Sequence, residues 1–312
     1  VVQDLIYRVG LENIGQYTIV TPMHRGGVWL QEQLRAVIVQ QAHSPVLLPQ
    51  CITIDELVAE LSDLRSDDEI RAIVKLHALY QHFNPDNPLP LDVFYGWGKQ
   101  LLQDFNSIDM ALVDPDQLFA NAIEAHHLEQ LQIDPEVQQR LQTLIAGTRH
   151  SFSEEHSYRR AYQHLWDTLA HIYHAFNEWE REQGVGYTGA RLKWVIKHWD
   201  SFHISERKFA FVGFNYLLKG EKQLMRLLQP QSLFYWDYDP SFTTNKDAYR
   251  FIEQHIRDGF VNALSSSEPS ASFPRSVSVI AASGNNTQAQ FVYSYLLNRQ
   301  GMTRTAPRKT RH

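Results

Sequence analysis

The chain has 312 residues, 43% hydrophobic and 12% aromatic, enough to bury a large core and too apolar for a disordered polymer. Its formal net charge of -6 excludes a protein that coats nucleic acid by bulk attraction and leaves room only for a local basic groove. One cysteine, Cys51, excludes an intrachain disulfide and a cysteine-rich zinc site, and no apolar run reaches the roughly 18 residues that cross a bilayer. The cytoplasm is therefore the expected compartment. The start at Val1 and the basic tail of Arg304, Arg308, Lys309 and Arg311 suggest a fragment.

In chain order, a strand is expected at Tyr17 to Val20, bounded by Gly15 and Thr21-Pro22, then a helix carrying Val28, Leu30, Leu34, Val37 and Ile38. A second buried run, Val46 to Ile54, ends where Thr53 and Glu56 stand at capping-box spacing and start a helix with Leu57, Val58 and Leu61. Strand signals then stop for about 150 residues. Ser66 and Glu69 repeat the capping-box spacing ahead of a helix with Ile73, Leu76, Tyr80 and Phe83, which Pro85, Pro88 and Pro90 end. Further helices are expected at Leu91 to Phe105, Pro115 to Ala125, Pro135 to Ile145 and Tyr158 to Gln183, with Gly184 as the C-terminal cap of the last.

Strand character returns at Phe209 to Phe214 and at Leu233 to Trp236, separated by a helix around Glu221 to Leu228 and followed by one with Tyr249, Phe251, Ile252, Ile256 and Phe260. Ser265 to Pro274 reads as a Ser/Pro linker before a strand at Val277 to Ala281 and a helix at Gln288 to Leu297. Strands need neighbours, so those on either side of the helical stretch are expected to pair in one parallel sheet. The fold class is α/β, a parallel sheet with a large all-α insertion. The domains are residues 1–54 with 201–264, an inserted helical subdomain at 55–200, and a linker with the start of a further α/β step at 265–312.

Three strings sharpen this layout. The first is Tyr17-Thr18-Ile19-Val20-Thr21-Pro22-Met23-His24-Arg25-Gly26-Gly27. The second runs from Phe94-Tyr95-Gly96-Trp97-Gly98-Lys99 through Leu101-Leu102-Gln103-Asp104-Phe105-Asn106-Ser107-Ile108-Asp109 to Leu112-Val113-Asp114. The third is Phe211-Val212-Gly213-Phe214-Asn215 with Glu221, then Phe234-Tyr235-Trp236-Asp237-Tyr238-Asp239. Together they resemble the helicase-derived region of AddB-like PD-(D/E)XK nucleases, whose first motor domain is of the UvrD superfamily 1 type.

That resemblance implies a RecA-like, P-loop NTPase-like sheet, with residues 265–312 starting a truncated second motor-like domain. It also implies a role in double-strand-break repair and recombination, and DNA, as a single strand or a duplex end, along Thr21, His24, Arg25, Gly26 and Gly27. Pro22, Arg25 and Gly27 fit the family's strand-Pro-x-Arg-Arg-Ala-Gly pattern loosely. A helicase subunit is the expected protein partner, and Mg²⁺ belongs to the full-length protein's nuclease domain. The chain departs from a working motor: it contains no G-x-x-x-x-G-K-[ST], and about sixteen residues precede the first strand. Gly213-Phe214-Asn215 stands where a motor carries Asp-Glu. ATP hydrolysis is not expected, nor a cofactor for this chain.

Other candidates have plainer readings beside them. Asp237 and Asp239, beyond a strand end, are placed for Mg²⁺ or, with Pro240, for an ordinary turn. With Glu206, of Glu206-Arg207-Lys208, they form the alternative of a metal-dependent nuclease, against a solvated charge cluster. His164, Asp167, His171 and His174 recur at metal-ligand spacing, opposite a core stripe of Tyr162, Leu165, Trp166, Leu169, Ile172, Tyr173, Phe176 and Trp179; such a polar stripe is the usual outer face of an amphipathic helix. Docking of a partner subunit on the helical insertion is a third possibility. No catalytic residue is assigned.

Overall fold

In the computed structural model, the described residues are 1–42, 45–86, 88–123, 155–202, 206–236, 246–264 and 279–299. The chain divides into two compact units, Val1–Ser267 and Glu268–His312. The first opens on α1 (Val2–Val9), and a single 3-10 turn at Ile14–Gln16 leads into β1 (Tyr17–Thr21). Next, α2 (His24–Gln41) returns the chain to β2 (Gln50–Thr53). The capping box then starts α3 (Ile54–Leu61): the Glu56 N–H donates to the Thr53 hydroxyl at 3.2 Å, and the Thr53 N–H donates to the Glu56 carboxylate at 2.7 Å.

The helical excursion is tied at its base by a short parallel ribbon of β3 (Arg65–Ser66) and β4 (Val185–Gly186). Between them lie α4 (Glu69–Phe83), α5 (Leu91–Met110), α6 (Pro115–Ile123) and α7 (Glu155–Glu182). After the ribbon come α8 (Thr188–Lys197), β5 (Lys208–Val212), α9 (Lys219–Leu228), β6 (Ser232–Tyr235) and α10 (Lys246–Arg257). In the second unit, the described residues hold α11 (Asn285–Arg299).

The main sheet has the order β2-β1-β5-β6 and is parallel throughout, with Val20 opposite both Ile52 and Phe211, and Phe211 opposite Phe234. Alternate residues feed two cores, as the two-residue strand period requires. Val20, Phe209, Phe211 and Phe234 face α3, α8 and α9 through Leu57, Leu192, Val195 and Leu224. Ile19, Ala210, Val212 and Tyr235 face α1 and α2 through Leu5, Leu30 and Leu34. Aromatic stacking reinforces the first face, with the Phe211 and Phe234 rings 5.3 Å apart and 9° from parallel.

A third core belongs to α4–α7: Ile73, Leu76, Phe94, Phe105, Ile172 and Phe176 are buried together. Of the expected core stripe on α7, Ile172, Tyr173 and Phe176 are buried and Leu169 and Trp179 partly so, while the side chains of Tyr162, Leu165 and Trp166 lie outside the described residues. Both α3 and α8 pack on the sheet, and the separate helical layer lies between the ribbon strands.

Four local readings change. Asp68, not Ser66, caps α4 by accepting from the Arg71 N–H at 3.0 Å, because Ser66 is committed to the ribbon opposite Gly186. Neither α1 nor α8 was expected. Residues 279–281, expected to close a strand, form none, because a parallel strand needs a neighbour and none is paired with them among the described residues. The helix expected at Pro135 to Ile145 lies outside the described residues. Gly184 ends α7 as expected, at φ +63, with its N–H donating to the Arg181 carbonyl at 3.1 Å. Among the described residues, no helix is long and apolar enough to cross a membrane.

Candidate functional site

From β1 the chain moves to β2 on one side, and after the helical excursion it returns as β5 on the other. Loops leaving the carboxyl ends of β1 and β5 therefore diverge, which opens a crevice where parallel α/β sheets characteristically bind ligands. A cleft of about 510 Å³ lies there, lined by Thr21 at the end of β1, Pro22 and Met23 after it, Trp29 and Gln33 on α2, and Gly213 after β5.

The turn between β1 and α2 is fixed from beneath. Thr21 is buried, and its hydroxyl donates to the Met23 carbonyl at 3.1 Å and lies 3.4 Å from the Ile52 carbonyl. Thr21 thus shapes the turn. A Cβ on Gly27 would meet the Cys51 Cβ at 3.3 Å and the Thr21 hydroxyl at 3.5 Å, so glycine lets α2 lie close over β1 and β2. Gly26 is half-buried and less crowded, its nearest neighbour being the Thr21 Cβ at 3.8 Å. Gly213 turns the chain away from β5 at φ +83, a conformation that favours glycine.

Met23, the N-cap of α2, makes no side-chain capping bond, and the helix has no acid in its first turn. The unneutralised amino end of an 18-residue helix therefore faces the crevice. His24 and Arg25 are exposed beside it, and Arg25 has no ion-pair partner among the described residues. Trp29, 62% exposed, follows Arg25 by four residues and so shares its stripe of the helix surface. Sequence reasoning missed Trp29, although its spacing from Arg25 was visible; an aromatic on an amphipathic helix reads first as core.

This grouping suits binding more than chemistry. A guanidinium and a helix amino end can hold a phosphate, and an exposed indole can stack on a base. Among the described residues, the cleft lining contains no carboxylate, imidazole or thiol side chain. At the end of β5, Gly213 is followed by buried Phe214.

Of the alternative nuclease residues, Glu206 lies within the described residues. Asp237 and Asp239 lie outside the described residues. The strand leading to them, β6, ends at the carboxyl edge of the sheet, whereas exposed Glu206 precedes β5 at the amino edge, roughly 15 Å away along the strands. Its neighbour Arg207 pairs with Glu60 at 2.8 Å and covers the Phe209 ring. On α7, His171 stacks on Phe83 and His174 lies 2.6 Å from an Asp116 oxygen, while the side chains of His164 and Asp167 lie outside the described residues. Among the described residues, no group of three His, Cys, Asp or Glu side chains is placed to hold a metal ion.

Two buried polar clusters in the helical layer also escaped the sequence reading. Asp109 on α5, fully buried, accepts from the Tyr173 and Tyr187 hydroxyls, each at 2.5 Å, and from the Lys193 ammonium at 2.8 Å. Burial first, and this carboxylate next, push both tyrosine hydroxyls well above their ordinary range. The second cluster surrounds Glu180 at the end of α7, where acids ordinarily read as solvated. A scan against models of known protein families finds no match for this chain, and neither does a search of curated proteins.

Proposed function

We propose that this chain is a non-catalytic DNA-binding scaffold, the helicase-derived, RecA-like part of an AddB-like recombination nuclease, and that a single strand passes the crevice between β1 and β5. The observation that carries this reading is the pairing of Arg25 with Trp29, one helical turn apart at the amino end of α2 and both exposed at a switch point. Arg25 supplies a phosphate contact and Trp29 a stacking surface. The Gly213 and Phe214 pair, standing where a working motor would carry paired acids, supports a holding role, with ATP hydrolysis supplied by a partner helicase subunit and Mg²⁺ used elsewhere in the full-length protein.

Titration of a labelled single-stranded oligonucleotide at two salt concentrations tests this. Trp29→Ala weakens binding by about 1–3 kcal/mol at both salts, the usual worth of one stacked base. Arg25→Ala weakens binding at low salt and lowers the slope of log affinity against log salt by about 0.7, one phosphate contact to a single strand. Wild-type affinity and slope in both variants would sink the proposal.

A further inference from the structure

A second cleft, about 430 Å³ in volume, lies at the base of the helical layer, bordered by Ser66 of the ribbon and by Asp67, Glu180, Thr188 and Arg191. Three of these side chains are buried with unmatched polar atoms. Glu180 at the end of α7 is 1% exposed, and neither carboxyl oxygen has a hydrogen-bond partner. The Tyr187 main-chain N–H approaches it from outside hydrogen-bonding geometry. Asp67 commits one oxygen to the Arg71 guanidinium and the Asp68 N–H, each at 2.9 Å, and leaves the other buried and unpaired. Arg191 on α8, 8% exposed, makes a 3.4 Å contact to the Thr188 hydroxyl among the described residues, and its Nε–H is buried and unpaired. Buried polar groups nearly always have partners, so three acceptor oxygens and one donor on a single cleft require an explanation.

The combination of signs selects among ligands. A metal ion would face Arg191 and lacks a third protein ligand among the described residues. A simple cation meets that same guanidinium, and a simple anion meets Asp67 and Glu180. A small zwitterion matches all four atoms, with an ammonium donating to carboxyl oxygens and a carboxylate accepting from Nε. We propose that this cleft binds a free α-amino acid, with its ammonium group between Glu180 and Asp67 and its carboxylate on Arg191. Ser66, Gln103 and Thr188 on the surrounding wall favour a polar side chain.

The proton inventory gives a distinctive signature. Burial, then the Asp67 carboxylate, raise the Glu180 carboxyl to about 8, with Asp109 on α5 adding to the rise and the Tyr187 N–H and Arg71 opposing it. Of the other charges here, Asp68 caps α4, Glu69 pairs with Lys99 at 3.1 Å, and Arg191 faces Glu180 from α8. Empty, the site holds Glu180 protonated at neutral pH, so an ammonium group must displace that proton.

Isothermal titration of the whole chain with the standard amino acids, each beside its methyl ester and N-acetyl derivative, tests the proposal. At least one free amino acid is expected to bind, and the derivatives, lacking one charge each, to bind about tenfold or more weakly. Wild-type affinity rises by about tenfold per pH unit between pH 6 and 7.5, and Glu180→Gln both weakens binding and removes that slope. Arg191→Gln weakens the free amino acid and leaves the methyl ester unaffected. No binding by any amino acid, an ester as tight as its parent, or an unaltered Glu180→Gln variant would each overturn it. Arg25→Ala leaves this site intact, so its failure and that of the DNA reading are distinguishable.

Discussion

Asp109 and Glu180 are buried acids in one helical layer, stabilised to opposite degrees. Asp109 is matched by three donors, so truncation strands the Tyr173 and Tyr187 hydroxyls and removes the partner of Lys193. Asp109→Ala is expected to lose about 3 kcal/mol in urea denaturation, with Asn, which keeps one acceptor oxygen, losing less. Glu180 has no such partners. Its folded carboxyl is raised to about 8 from an ordinary 4.5, so folding favours the protonated form. The destabilising charge is absent below the unfolded value, grows as pH rises from about 4.5 to 8 and levels off above. Glu180→Gln should therefore match wild type near pH 4 and exceed it by on the order of 1–3 kcal/mol above pH 8, read from melting at matched ionic strength. Melting curves that run parallel across this range would contradict the assignment. Neither acid was visible in sequence, because a carboxylate on a helix is ordinarily solvated and only the packed tertiary environment removes it from water. Arg25 stands out as a candidate in the sequence because it follows a strand beside two glycines.

Elements were legible where their signal was local. The Thr53–Glu56 box, the Gly184 cap and strands β1, β5 and β6 are short-range chemistry, and each forms within a residue or two of its expected place, whereas β2 starts at Gln50, four residues inside the expected run. By contrast, α8 was hidden because its apolar residues follow a turn and its partner surface is the distant end of α5. That junction depends on two close approaches. A Cβ on Gly189 would lie 2.5 Å from the Asn106 carbonyl oxygen, and one on Gly220 would lie 2.6 Å from the Met110 carbonyl oxygen. Both obstacles are main chain on α5, so Gly189→Ala and Gly220→Ala each force α8 or α9 away from α5 at a cost of about 1–3 kcal/mol. Gly96, exposed within α5 with nothing near its missing Cβ, makes the internal comparison: Gly96→Ala should stabilise by about 0.5–1 kcal/mol. Thermal melts showing all three alike would contradict the close-approach account.

At the scale of the whole molecule, the sequence showed that strands flanking a helical stretch must share a sheet, but it contained no signal for their order. That order, β2-β1-β5-β6, places the divergence of connections between β1 and β5 and so locates the crevice. It also separates Glu206 from the end of β6, an opposition that sequence proximity concealed. The net charge of -6 then limits how this surface can attract DNA. With the chain acidic overall, the local cation of Arg25 and the amino end of α2 are the groups proposed to favour phosphate at the crevice. Each neutralised phosphate of a single strand contributes about -0.7 to the slope of log affinity against log salt, so two contacts give roughly -1.4. A measured slope near that value assigns the electrostatic part of binding to the crevice, and Arg25→Ala should halve it. A slope several times steeper, surviving in Arg25→Ala, would place the nucleic acid on another surface, because two contacts cannot release so many counterions.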